Sequence, residues 1–218
     1  MTMHNPRRYR WQDSILINVS KCIRTLLELP ANHNSRPCPG DAKPQPTLSS
    51  QEKKQSSGMM RVNHTGEVCA QALYLGQSLT ARTETLRSAF EEAAIEESDH
   101  LSWCEQRLTE LESHKSYLNP LWFTGSLLIG TCAGLAGDKW SLGFLAETEQ
   151  QVFKHLGSHL EKLPKMDGRS RAIVAQMQEE EAKHAHTAIS YGAAELPFFI
   201  KIGMQWMAKV MTQVTYYV

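Results

Sequence analysis

An all-α fold is predicted by three observations. Apolar residues recur at helical spacing through most of the chain from Met59 onward, no stretch shows the apolar–polar alternation of a strand, and proline and glycine fall where long helices have to turn. The 218 residues suit one domain with an appended segment. Twenty-three basic residues balance 23 acidic ones, so the chain has no general attraction for nucleic acid, and none is expected as a partner.

Trp11 to Leu29 reads as an amphipathic helix, with Ile15, Leu16, Val19, Ile23, Leu26 and Leu27 at helical spacing and Lys21, Arg24 and Glu28 between them. It defines an N-terminal helical segment over residues 1–30. Residues 31–58 change character, collecting Pro37, Pro39, Pro44, Pro46 and several serines, and read as a linker ordered only where the domain holds it. The domain itself is expected over 59–218. Its four long helices fall at 59–80, 83–113, 139–163 and 168–192. The first turn is at Thr80 to Thr83, and the last at Leu163 to Gly168, where Pro164 and Gly168 break the helix. A fifth helical segment follows Pro197.

Two segments stand out for hydrophobicity. Residues 116–137 carry no charge over 22 positions, a length that can span a bilayer. Residues 196–218 place Lys201, Gln205, Lys209 and Gln213 in one narrow stripe. Nearly everything else there is apolar, including Phe198, Phe199, Ile202, Trp206, Met207, Val210 and Val214. Such a helix wants a partner surface, its own bundle or the membrane interface, with the lysines reaching toward headgroups.

Five cysteines, Cys22, Cys38, Cys69, Cys104 and Cys132, form an odd set with no Cys-x-x-Cys pair. That argues against a disulfide framework or a cysteine zinc site, and it fits a reducing compartment. Met1 to Arg10 is polar and no secretory signal follows, so the protein is expected inside the cell.

The chemistry lies in acidic and histidine residues on the helices. Glu97-Ser98-Asp99-His100 and Glu181-Ala182-Lys183-His184 are both Glu-x-x-His. Three helical residues turn about 300° and rise about 4.5 Å, so each Glu and its His share a face. A lone motif of this kind is usually a solvated polar face. Here each has an upstream glutamate at matching distance: Glu67 lies 30 residues before Glu97, and Glu149 lies 32 before Glu181. The midpoints fall in the two predicted turns, so each antiparallel hairpin sets its glutamates at one height. The pattern of Glu, turn and Glu-x-x-His occurs twice.

Burial sharpens this reading. Glu67 precedes Leu73 and Tyr74 on one side, Glu97 follows Phe90, Ala93 and Ala94, Glu149 follows Leu142, Leu145 and Ala146, and Glu181 follows Val174 and Met177. Four carboxylates in an apolar core are too costly unless paired or metal-bound. Two divalent cations neutralise them and two imidazoles complete the set, the arrangement of a ferritin-like di-iron four-helix bundle. Oxygen-rich ligands with one nitrogen per metal favour iron or manganese over structural zinc. The metal reading also decides the uncharged segment, because a single crossing at 116–137 would put the two halves of the site on opposite sides of a membrane. The segment is expected to be the long crossover between helices 2 and 3, dipping into lipid, with the extra helices associating with the membrane.

Several motifs resemble one known family. Arg61-Val62-Asn63-His64-Thr65-Gly66-Glu67, Glu97-Ser98-Asp99-His100, Pro120-Leu121-Trp122, Glu149 followed by His155, and Glu180-Glu181-Ala182-Lys183-His184 look like the demethoxyubiquinone hydroxylase family of ubiquinone biosynthesis. The resemblance runs from about Met59 to the C-terminus, and Arg24-Thr25-Leu26 with the proline-containing stretch looks like its bacterial members. It implies a peripheral di-iron monooxygenase that hydroxylates the ring of 2-polyprenyl-3-methyl-6-methoxy-1,4-benzoquinol. The iron ligands it implies are Glu67, Glu97, His100, Glu149, Glu181 and His184. His155 matches a family histidine near the quinone pocket, although Leu156 follows it where some relatives have Tyr; Asn63 stands where others have Asp and is assigned no role.

The same resemblance implies two iron ions, dioxygen, the membrane surface and other proteins of ubiquinone biosynthesis as cofactors and partners. It places the protein on the cytoplasmic side of a bacterial inner membrane, with the matrix side of the mitochondrial inner membrane as the alternative. No Gly-x-Gly-x-x-Gly element is found, so electrons are expected from outside, through NADH, a reductase or the quinol itself. The competing function is a ferritin-like iron-handling or peroxide-scavenging protein, which can use similar ligands but has no need of the apolar tail. A purely structural helical bundle at a membrane, the third reading, predicts no stoichiometric metal.

Overall fold

The computed structural model describes residues 36–218; the N-terminal helix expected over 11–29 lies outside the described residues. Among these residues the regular elements are helical throughout. A short 3-10 helix, Pro39–Ala42, precedes α1 (Ser50–Thr80), α2 (Glu84–Glu110), α3 (Asn119–Leu135), α4 (Asp138–Lys162), α5 (Gly168–Ser190) and α6 (Phe198–Thr215).

The linker reading of 31–58 needs correction at its end, because α1 starts at Ser50 rather than residue 59. The Ser49 side chain accepts from the Glu52 backbone N–H, and the Glu52 carboxylate accepts from the Ser49 N–H at 2.9 Å. This reciprocal cap satisfies two donors that a helix end otherwise leaves orphaned. Apolar periodicity cannot reveal that first stretch, since Ser50 to Gly58 holds no apolar residue. Its inward side is made instead of small groups: Ser56, Ser57 and Gly58 are buried, with Gly58 directly beneath the Tyr216 ring. Residues 36–49 are held too, with Cys38 in the core and Gly40 against Ile173.

The remaining turns follow the sequence reading closely. Thr83 caps α2, accepting from Leu86 N–H at 3.3 Å. Asp167 caps α5, accepting from Ser170 N–H at 3.0 Å, and also receives Arg107 Nη2 at 2.9 Å. That fully buried pair ties the end of α2 to the start of α5.

Helix α1 packs against α2 and α3, while α4 packs against α5. Met60, Trp103, Cys104, Leu108, Leu156, Ile173, Val174 and Met177 form a core toward the capped end of α1. Tyr74, Phe90, Leu142, Leu145 and Ala146 form a second core further along it. The buried carboxylates described below lie between these clusters in sequence on every helix that bears them.

The uncharged stretch expected as a crossover is largely helix α3, laid along α1. At the crossing the two backbones nearly touch. A Cβ on Gly130 would collide with the Leu73 carbonyl, and one on Gly76 would come within 2.5 Å of the Leu127 carbonyl oxygen. Phe123 faces inward at 2 % exposure, while Leu121, Leu128 and Leu135 form an outward stripe at heptad spacing, each over 60 % exposed. No described helix is long and apolar enough to cross a membrane. Helix α6 hardly joins the core, as Thr215 is its one buried residue. Phe198, Phe199, Trp206, Met207 and Val210 are exposed along it.

Candidate metal centre

Helices α1, α2, α4 and α5 each bring carboxylates to one buried place. Glu67 is on α1, Glu97 and His100 on α2, Glu149 on α4, and Glu181 and His184 on α5. The first five are at most 3 % exposed, and the His184 side chain is 12 % exposed. Their ligand atoms gather in two groups, Glu67–Glu97–His100–Glu181 and Glu149–Glu181–His184, each with all atoms within 4.8 Å of one another. Glu181 belongs to both groups and joins them. All six residues singled out in the sequence are thus brought together.

His100 Nδ1 lies 3.0 Å from Glu97 Oε2, 3.4 Å from Glu181 Oε1 and 3.8 Å from Glu67 Oε2. His184 Nδ1 lies 3.3 Å from Glu97 Oε1 and 3.5 Å from Glu181 Oε2. Both imidazoles therefore turn the same nitrogen into the cluster.

The electrostatics are those of crowded buried acids. Burial, reinforced by neighbouring Glu97, pushes the Glu67 carboxyl well above the usual carboxylate range. Burial and neighbouring Glu181 do the same to Glu149. Burial opposes ionisation of Glu97 as well, yet the charge and hydrogen bond of His100 hold it well below that range. Against burial, the Glu97 charge, the hydrogen bond that Glu180 accepts from His100 Nε2, and the nearby Glu181 and Glu67 carboxylates hold His100 well above an ordinary imidazole. The close Glu181 and Glu97 carboxylates likewise overcome burial at His184, which is pushed up to about 12.

The donor atoms themselves show that a cation suits the place. Glu97 Oε1, Glu181 Oε2 and His184 Nδ1 are buried and make no hydrogen bond. A buried polar atom left unsatisfied costs about 1–3 kcal/mol, and these three face one cluster. A positive ion satisfies all of them at once. The donors are carboxylate oxygens with imidazole nitrogen and no thiolate in either group, a set suited to iron or manganese.

Residues outside the predicted set complete the surroundings. His100 Nε2 is 2.6 Å from Glu180 Oε2, and His184 Nε2 is 2.8 Å from Glu96 Oε2. A carboxylate on the remote nitrogen fixes the ring's orientation and leaves the other nitrogen for the metal. The signal was present in the sequence, since both motifs read Glu-Glu-x-x-His, with Glu96 before Glu97 and Glu180 before Glu181. Tyr74, fully buried on α1, donates its hydroxyl to Glu149 Oε1, a contact no sequence spacing announces.

His155 belongs to neither group. Its ring lies 4.1 Å, centroid to centroid, from that of His159, one helical turn along α4, and its Nε2 makes no hydrogen bond. Burial, with Lys162 nearby, pulls His155 down to about 4, and burial with His155 and Lys162 nearby pulls His159 down to about 3.

A helical protein with a buried carboxylate–imidazole cluster able to hold a metal ion is the class that fold and site define. The family model described as "Ubiquinone biosynthesis protein COQ7" matches residues 54–215, and the chain belongs to that family. It is 54% identical over 204 residues to the 3-demethoxyubiquinol 3-hydroxylase of Dechloromonas aromatica, covering 94% of this chain and 98% of that one. It is 52% identical over 206 residues to the enzyme of the same name in Nitrosomonas europaea, with 94% and 98% covered. The Legionella pneumophila enzyme is likewise 52% identical over 206 residues, with 94% and 97% covered.

Proposed function

We propose that the protein is an oxygen-dependent 3-demethoxyubiquinol 3-hydroxylase, acting on the benzoquinol ring of a polyprenylated 3-methyl-6-methoxy-1,4-benzoquinol. Helices α1, α2, α4 and α5 form the ferritin-like bundle in this reading, and two iron ions are held by Glu67, Glu97, His100, Glu149, Glu181 and His184. The observation that carries it is the pair of buried ligand groups sharing Glu181, in a chain more than half identical to relatives of that name.

Held by those six residues, two ferrous ions would supply the electrons that activate dioxygen, one oxygen atom going to the ring and the other leaving as water. The chain's own part is to hold and shield. Glu96 and Glu180 orient the imidazoles, and the Tyr74 hydroxyl fixes one oxygen of Glu149. Near-complete burial of the glutamates excludes bulk water and strengthens every charge interaction among them. No dinucleotide-binding motif accompanies the site, so reducing equivalents come from an external donor such as NADH or a reductase.

A polyprenyl quinol lives in the bilayer, and the outward stripes of α3 and α6 supply an apolar surface for peripheral attachment. Lys209 stands 5.5 Å over the Trp206 ring, placing a cation beside an aromatic group as membrane interfaces favour. The side in contact is the cytoplasmic face of a bacterial inner membrane, where other proteins of the same pathway can dock. A ferritin-like iron store or peroxide scavenger has no use for this surface.

The test is the quinone profile of cells lacking the gene. Demethoxyubiquinone accumulates and the intact gene restores ubiquinone. Normal ubiquinone with no precursor, in cells without a second hydroxylase, overturns the assignment.

A further inference from the structure

The segment ahead of α1 ends in a contact that a mere linker does not need. Arg36 Nη1 and Nη2 lie 2.6 and 3.1 Å from the two oxygens of Glu180, and its Nε lies 2.7 Å from Asp99 Oδ2. The guanidinium carbon sits 4.9 Å over the Trp103 ring, and Trp103 Nε1 donates to the Arg36 carbonyl at 3.5 Å. One side chain thus joins α2, through Asp99 and Trp103, to α5, through Glu180. Below this fork lies His100. Its Nε2 is 2.6 Å from the same Glu180 oxygen that receives Nη2, and its ring lies 5.3 Å from that of Trp103.

The two histidines are served unequally. Glu96, which holds His184, has a side chain 52 % exposed. The Glu180 side chain is 8 % exposed, and a buried carboxylate needs a fixed cationic partner to stay in one rotamer. The planar guanidinium suits this role as a lysine cannot, since it meets both Glu180 oxygens and Asp99 together. Cys38 in the core and the 3-10 helix packed on α5 anchor the segment that carries it.

We infer that Arg36 is a positioning residue for the metal centre, locking Glu180 in the place from which it orients His100, so that residues 36–49 act as a strap completing one of the two metal positions. This rests on the proposed ligand set.

Cobalt(II) titration of the purified full chain tests it, reading affinity, stoichiometry and the visible absorption of bound cobalt. Wild type binds two ions per chain. R36A weakens the position containing His100 by at least tenfold, in the range typical for lost outer partners, and alters its absorption band. R36K, which keeps charge but not the fork, falls between the two and serves if R36A does not fold. The double variant R36A/E180Q binds no more weakly than E180Q alone, because both changes break one chain of contacts. Wild-type affinity and spectrum in R36A and R36K, or full additivity of the R36A and E180Q losses, overturn the inference while leaving the metal site standing. A wild-type chain that takes up no cobalt overturns both.

Discussion

His184 Nε2 stands 2.8 Å from Glu96 Oε2, so the histidine of the second motif is held by the glutamate that opens the first. The exchange is reciprocal, since His100 of the first motif meets Glu180 of the second at 2.6 Å. The repeat visible in the sequence is therefore knitted across α2 and α5, and neither half can orient its own imidazole alone.

From that exchange, Glu96→Gln is expected to lower metal affinity about tenfold, with metal stoichiometry recovering at high metal concentration. Equilibrium titration with cobalt(II) measures it. An affinity equal to wild type removes Glu96 from the site.

Glu181 belongs to both ligand groups, which makes it the most damaging single loss. Glu181→Ala should abolish hydroxylation and reduce iron well below two per chain, read by elemental analysis beside a quinol turnover assay. Full turnover with unchanged iron would falsify the ligand assignment.

Burial, with Lys115 nearby, depresses His64 to about 3, below its unfolded value of about 6.5. Between these values the unfolded chain binds a proton that the folded chain refuses. The stability contributed is complete above pH 6.5 and is lost as the pH falls toward 3, at about 1.4 kcal/mol per unit. His64→Gln should flatten that acid slope by about one proton, measured by urea unfolding at pH 5 and 7. An unchanged slope would show that His64 is protonated in the fold.

The proposed membrane attachment draws on the outward face of α6. Replacing Phe199 and Trp206 together by Ser removes two exposed rings whose burial in lipid is worth roughly 1.5–3 kcal/mol each. Sedimentation with anionic vesicles should show binding at least tenfold weaker, with metal content unchanged. Equal vesicle binding would transfer the attachment surface elsewhere.

The α1–α3 crossing is predicted to be intolerant of a single methyl group. Gly130→Ala meets the Leu73 carbonyl, and the displacement of α3 should cost about 1–3 kcal/mol in chemical denaturation. A variant as stable as wild type shows that α3 can lift from α1 freely.

The sequence by itself determined the helical class, the turns at 80–83 and 163–168, and the gathering of six polar side chains, because each rests on local periodicity or on matched spacing about a turn. It missed the start of α1, where the buried face is serine and glycine and carries no apolar signal. Tertiary structure alone decided which carboxylate faces which histidine, that Tyr74 reaches Glu149, and that Arg36 arrives above Glu180 from 144 residues away. It also laid α3 along α1 and left α6 outside the core. Those are contacts between elements distant along the chain, set by the angle and closeness at which helices pack, and helical spacing within one element carries no record of them.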